Sequence, residues 1–310
     1  MPFTIDSDWA ALDYFQASMC TGVRDNAGQA RRGVALLTSE YPPQEPFTAI
    51  GAKYHDEVLR LGRDIAGIDL SYGDDPYQAL TIVPAEQPNG DVYIALHGGG
   101  WTNGYKEWML FMAPALTARG VTFVSAGYRL APQHVFPSGY HDVLDAIALV
   151  HREIAKHGGD PERIFVSGHS AGGHLAALAA LQTDWTATRG LPANVIRGSL
   201  PISGTYVFGP ASGLSMRPRF LGPEENDGET KAAPTSYLHA DAPPFLVAYG
   251  ERDFPHLRAQ AETFIADLKG LGVDVSEVVL ADCDHLGASY ESGNPDGVWV
   301  KTATRWMREH

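Results

Sequence analysis

Cysteine is scarce in this 310-residue chain, where Cys20 and Cys283 stand far apart and form no C-x-x-C pair. Two isolated thiols argue against a disulfide scaffold or a zinc ribbon. Positive charge is also in short supply. Lys and Arg number 23 against 37 Asp and Glu, a net charge of −14. Neither nucleic acid nor an anionic membrane surface is therefore an expected partner. The acidity itself is read as a solubility feature. No window reaches about 18 uninterrupted apolar residues, so no membrane span is expected. The opening Met1-Pro2-Phe3-Thr4-Ile5-Asp6 lacks the basic-then-apolar order of a signal peptide. These absences predict a soluble cytoplasmic protein. His-Glu-x-x-His and the phosphate-binding Gly-x-x-x-x-Gly-Lys-Ser/Thr are missing too, and neither a metal nor a cofactor is expected. There is no internal repeat and no low-complexity tract.

What is present is a 44% hydrophobic composition, enough for a sizeable core. Residues 1 to 66 read as an N-terminal helical segment that packs on or caps the core, with helix expected over 7 to 40 and again over 52 to 62. Ile68 to Tyr72 and Ala79 to Val83 flank a turn and read as an antiparallel pair. From residue 91 short apolar runs alternate with amphipathic ones. Strands are expected at 92–96, 121–125, 163–167, 196–202, 245–249 and 275–280, and helices at 107–119, 138–157, 170–183, 256–271 and 295–308. That alternation predicts an α/β fold, a mostly parallel central sheet with helices on both faces. All parallel strands then end at one edge, where ligands bind. The Gly- and Pro-rich stretch 204 to 243 breaks the rhythm just after a strand. It reads as a lid or pocket wall over that edge, or as an irregular surface excursion.

The chemistry concentrates at the strand ends. Gly168-His169-Ser170-Ala171-Gly172 lies between the apolar run Arg163 to Ser167 and an Ala/Leu-rich run. Strand, sharp turn and helix around a serine make a nucleophile elbow. A serine hydroxyl needs a base within hydrogen-bond reach and a carboxylate to orient that base. Asp253 follows one later strand and His285 the next. They are the preferred partners, each expected to begin a loop at the active edge. The alternative acids are Glu251, Asp282 and Asp284, and the alternative histidines are His256 and His310. The run His97-Gly98-Gly99-Gly100-Trp101 ends another strand. Its glycines let backbone N–H groups approach a substrate oxygen, so the amides of Gly99, Gly100 and Ala171 are the expected oxyanion hole. Trp101 and His169 are the candidate substrate-binding residues.

These motifs, in this order, resemble the α/β-hydrolase superfamily over roughly residues 67 to 310. The HGGG loop and Tyr128-Arg129-Leu130-Ala131-Pro132 resemble the hormone-sensitive-lipase-like esterases. His97-Gly98-Gly99-Gly100-Trp101 with Lys106-Glu107, the Gly-His-Ser-Ala-Gly elbow, Tyr72-Gly73-Asp74 and Asp184-Trp185 resemble kynurenine formamidase (arylformamidase)-like enzymes. The resemblance implies hydrolysis of a small or aromatic carboxylic ester, or of an aryl amide such as N-formylkynurenine. A catalytically silent binding protein on a hydrolase scaffold is the alternative from another class. The expected partner is a small molecule. Nothing in the sequence marks an interface, and the oligomeric state, a homodimer included, stays open.

Overall fold

The computed structural model describes residues 38–209, 212 and 219–310. The helical reading of residues 7 to 40 falls almost wholly outside them, as does Cys20. Within them, helix α1 (Ala49–Gly62) is capped by Thr48, whose hydroxyl accepts the Gly51 amide. It begins three residues earlier than the expected 52. Strands β1 (Ile68–Ser71) and β2 (Ala79–Val83) form the expected antiparallel hairpin.

Next come β3 (Gly90–Leu96), a 3-10 segment (Lys106–Met112), α2 (Ala113–Thr117) and β4 (Thr122–Ala126). The continuous helix expected over 107–119 is thus split. Every residue of Lys106–Met112 is buried, so no solvent face imposes the α-helical period. Pro114 then opens α2, where its missing N–H costs nothing. The chain continues through α3 (Ser138–Glu153), β5 (Gly159–His169), α4 (Ala171–Leu181), α5 (Asp184–Thr188) and β6 (Ile196–Ile202). It closes with α6 (Gly228–Ala232), β7 (Phe245–Gly250), α7 (Pro255–Gly270), β8 (Val275–Leu280), α8 (His285–Glu291) and α9 (Val298–Glu309).

The eight strands form one sheet in the order β1-β2-β4-β3-β5-β6-β7-β8, parallel from β4 through β8. All residues of β4 and β7 are buried, whereas β1 at the edge is largely exposed. Continuous burial along a strand means that both faces are covered. Helices α3 and α4 pack together, and α2 packs with α9. Helix α4 is buried at every position, consistent with its unbroken run of Ala, Leu, Gly and His. On α9, Trp306 lies against Phe165 and fills the space beside Gly198, where a Cβ would stand 2.6 Å from the indole.

This strand order positions the site. β3 and β5 are neighbours, with Leu96 opposite Gly168, so the loop after β3 meets the turn after β5. β7 and β8 are neighbours, with Gly250 opposite Leu280, so the loops that follow them also meet.

Candidate active site

Ser170 sits between β5 and α4 with φ 56° and ψ −116°, a conformation a non-glycine residue holds only under constraint. The constraint is visible. Its amide donates to the Ile202 carbonyl at 2.9 Å and its carbonyl accepts the His174 amide at 3.0 Å. The flanking glycines are required by crowding. A Cβ on Gly168 would stand 2.5 Å from the Gly172 backbone, and one on Gly172 would stand 2.1 Å from the Leu96 carbonyl oxygen. The G-x-S-x-G spacing records how tightly the turn folds onto β3.

Ser170 Oγ lies 3.0 Å from His285 Nε2, and His285 Nδ1 lies 2.8 Å from Asp253 Oδ1. With Nδ1–H donating to the carboxylate, Nε2 is free to accept the serine proton. The Asp253 side chain has no solvent exposure, and its Oδ1 also accepts the Phe254 amide at 2.7 Å. Burial pushes this carboxyl upward. The hydrogen bond and charge of His285, with the Ser203 hydroxyl and the Phe254 amide, outweigh burial and hold it below the usual carboxylate range. Ser203, in strained backbone at φ 51° just past β6, was not anticipated from the sequence.

Of the alternative acids, Asp284 and Glu251 are engaged elsewhere and Asp282 faces solvent. Asp284 caps α8, its Oδ1 accepting the Gly287 amide at 2.7 Å. Glu251 Oε2 accepts the Asp282 amide at 2.9 Å, and the Asp282 side chain is 90% exposed. His310 bonds the Trp306 carbonyl on the last helix, away from the site. His285 opens a helix rather than a loop, a difference from expectation that Asp284 explains.

The three expected oxyanion donors share one construction. In a trans peptide the N–H points opposite the preceding carbonyl, so holding that carbonyl aims the amide. The Gly98 carbonyl accepts His97 Nδ1–H at 2.8 Å, which aims the Gly99 amide. The Gly99 carbonyl accepts the Asn103 amide at 2.9 Å and the Thr102 amide at 3.2 Å, which aims Gly100. The Ser170 carbonyl, held by His174, aims Ala171. Gly98 carries the loop against the elbow, since a Cβ there would stand 3.0 Å from the His169 carbonyl and 3.3 Å from Ser170 Cβ. His97 is fully buried, and burial draws its imidazole down to about 4.

Trp101 and His169, expected to meet substrate, are both buried with their ring nitrogens engaged. Trp101 Nε1 donates to His174 Nδ1 at 3.0 Å, and the ring stacks on Phe220 at 4.4 Å between centroids. His174 in turn donates Nε2–H to the Ala232 carbonyl at 2.7 Å, and burial draws it down to about 4. His169 donates Nε2–H to the His285 carbonyl at 2.8 Å. Burial, then the neighbouring charge of His285, draws it down to about 3. Among the described residues no group of three or more His, Cys, Asp and Glu could hold a metal, and no helix is long and apolar enough to cross a membrane.

The family model described as the alpha/beta hydrolase fold matches residues 93–288, and the chain belongs to this family. Esterase LipQ of Mycobacterium tuberculosis is 36% identical over 211 residues, 63% of this chain and 49% of its own length. Esterase LipC of the same bacterium is 31% identical over 78% of this chain and 64% of its own. The chain thus spans about half to two thirds of the length of these esterases. Kynurenine formamidase of Danio rerio is 27% identical over 75% of this chain and 80% of its own. Among solved structures, a hyperthermophilic esterase from the archaeon Pyrobaculum calidifontis superposes with a TM-score of 0.66 at 22% identity, over 84% of this chain and 91% of that one. That likeness is one of fold.

Proposed function

We propose that this protein is a serine hydrolase that cleaves a carboxylic ester through an acyl-enzyme. The observation that carries the reading is the unbroken line Asp253–His285–Ser170, with Glu251 and Asp284 engaged elsewhere and the Asp282 side chain out in solvent. Ser170 Oγ attacks the substrate carbonyl carbon while His285 Nε2 takes its proton. The negative oxygen that forms is held by the amides of Gly99, Gly100 and Ala171. The imidazolium, steadied by ionised Asp253, returns the proton to the departing alcohol. Water then attacks the acyl-enzyme by the same route and releases the acid and free Ser170. In this reading Trp101 and His169 brace the machinery. The acyl and leaving-group pockets involve other surfaces, the described residues of 204–243 among them as a wall or lid.

A second reading, cleavage of an N-formyl aryl amide, is favoured by the kynurenine formamidase relative, which matches over four fifths of its own length. The leaving group is then an arylamine, and a formyl group needs little acyl space. One experiment separates these readings from a silent scaffold. Graded p-nitrophenyl esters and N-formylkynurenine are assayed side by side, and Ser170 is probed with a fluorophosphonate. Wild-type protein should turn over at least one substrate and label on Ser170. Ser170→Ala should lose both with its thermal unfolding unchanged. An unlabelled, inert wild type would leave a binding protein. Preference for long acyl chains would eliminate the formamidase reading.

A further inference from the structure

The N-terminal strap before α1 lies outside residues 93–288 and belongs to the segment expected to pack on or cap the core. The structure places one of its side chains on the oxyanion loop. Gln44 pairs with both backbone polar groups of Gly104. Its Nε2 donates to the Gly104 carbonyl at 2.7 Å, and its Oε1 accepts the Gly104 amide at 2.9 Å. The next residue adds a bond in the other direction, Asn103 Nδ2 donating to the Glu45 carbonyl at 2.7 Å. Gln44 Nε2 also reaches the Tyr77 hydroxyl at 2.8 Å, and that hydroxyl donates to the Pro42 carbonyl at 3.1 Å. The strap is thereby tied to the sheet side as well.

The clamped residues are those that aim the oxyanion donors. Asn103 supplies the amide that holds the Gly99 carbonyl and so directs the Gly100 N–H. Gly104, at φ +120°, packs against His97 and Gly98. A Cβ there would stand 2.2 Å from His97 Nδ1 and 2.8 Å from the Gly98 carbonyl oxygen, the bond that directs the Gly99 N–H. We propose that Gln44 is a positioning residue for catalysis, fixing the oxyanion loop from outside the matched domain. A primary amide suits the task because it donates and accepts on one planar group, as a neighbouring β-strand would. The inference rests on the reading of Ser170 as nucleophile.

The test compares wild type with Gln44→Met and Gln44→Glu on a p-nitrophenyl ester that wild type hydrolyses. Inert wild type would fail the serine-hydrolase reading itself, so the two failures are distinguishable. In Gln44→Met, kcat should fall on the order of tenfold, a part of the 10²–10³ lost with an entire oxyanion donor. KM should stay within about twofold, because the oxyanion exists only past the ground state. Affinity for a trifluoromethyl ketone, whose hemiketal carries the oxyanion, should fall by the same factor as kcat. A kcat within twofold of wild type, or a raised KM at unchanged kcat, overturns the proposal. Gln44→Glu keeps the test decisive where Gln44→Met is unstable. Its carboxylate can accept the Gly104 amide but cannot donate to the Gly104 carbonyl, so at pH 8 its kcat should also fall on the order of tenfold with KM within about twofold. A folded Gln44→Glu with kcat within twofold of wild type overturns the proposal.

Discussion

Gly172 and Gly100 both shape the site, yet a Cβ on the first would meet the Leu96 carbonyl at 2.1 Å and on the second would meet nothing within 4 Å. The two sides of the site are both crowded, since a Cβ on Gly99 would also stand 2.1 Å from a backbone carbonyl, but they differ in what holds them. On the elbow side, Ser170 is gripped by the β6 backbone and by the first turn of its own helix. On the oxyanion side, the loop is steered by the buried ring of His97 and by a side chain from a strap outside the sheet. One side is placed by backbone alone. The other adds side-chain polar contacts to its backbone packing, and those a single substitution can remove.

The contrast can be tested at decreasing amplitude. Asp253→Asn should lower kcat on the order of 10⁴-fold with the fold intact, because the charge that steadies the His285 imidazolium is gone and the amide can hold the ring in the wrong tautomer. A loss under tenfold would mean that another acid orients the ring. Gly172→Ala should cost upwards of about 3 kcal/mol in urea unfolding, because the obstruction is backbone that cannot turn aside. Survival of Gly172→Ala at wild-type stability would contradict the backbone crowding on the elbow side.

Acid sharpens the comparison next. His97 on the loop side and His174 and His169 on the elbow side protonate at about 4, 4 and 3 when folded, against about 6.5 unfolded. Between those values the unfolded chain binds more protons, so stability falls as pH drops below 6.5. The loss should reach a few kcal/mol by about pH 5, and His174→Gln should flatten the slope by one proton's worth. Equal unfolding midpoints at pH 7.5 and 5 would contradict neutral buried imidazoles. The smallest effect is reserved for Gly100→Ala. With open space around it, only the left-handed φ of 61° opposes a side chain, at about 1–2 kcal/mol.

Legibility from sequence follows the same division. The central parallel strands are buried on both faces, and such runs stand out as short apolar blocks at regular spacing. Gly168 and Gly172 are visible because backbone crowding admits one residue type. The helix at His285 was read as a loop because its signal is a single Asp284 cap before only seven residues. The 3-10 character of Lys106–Met112 is not legible because its apolar run Trp108–Met112 has no polar face to reveal a period, and Lys106 and Glu107 are buried as a pair. Gln44 lies in a Pro-rich stretch with no period at all, and its partner is backbone, which any residue at 104 would offer. His169 was expected at substrate because it adjoins Ser170. Only the fold shows that α8 passes over its ring.

That last contact has a mechanical consequence. His169 adjoins Ser170 and donates to the His285 carbonyl, while the His285 ring bonds the Ser170 hydroxyl. Two hydrogen bonds and the intervening main chain close a ring through the two residues. Moving the start of α8 off the elbow must break the His169 bond, whereas opening the Ser170–His285 gap needs only a side-chain rotation, so His169 pins the His285 backbone in place while leaving its ring free to turn.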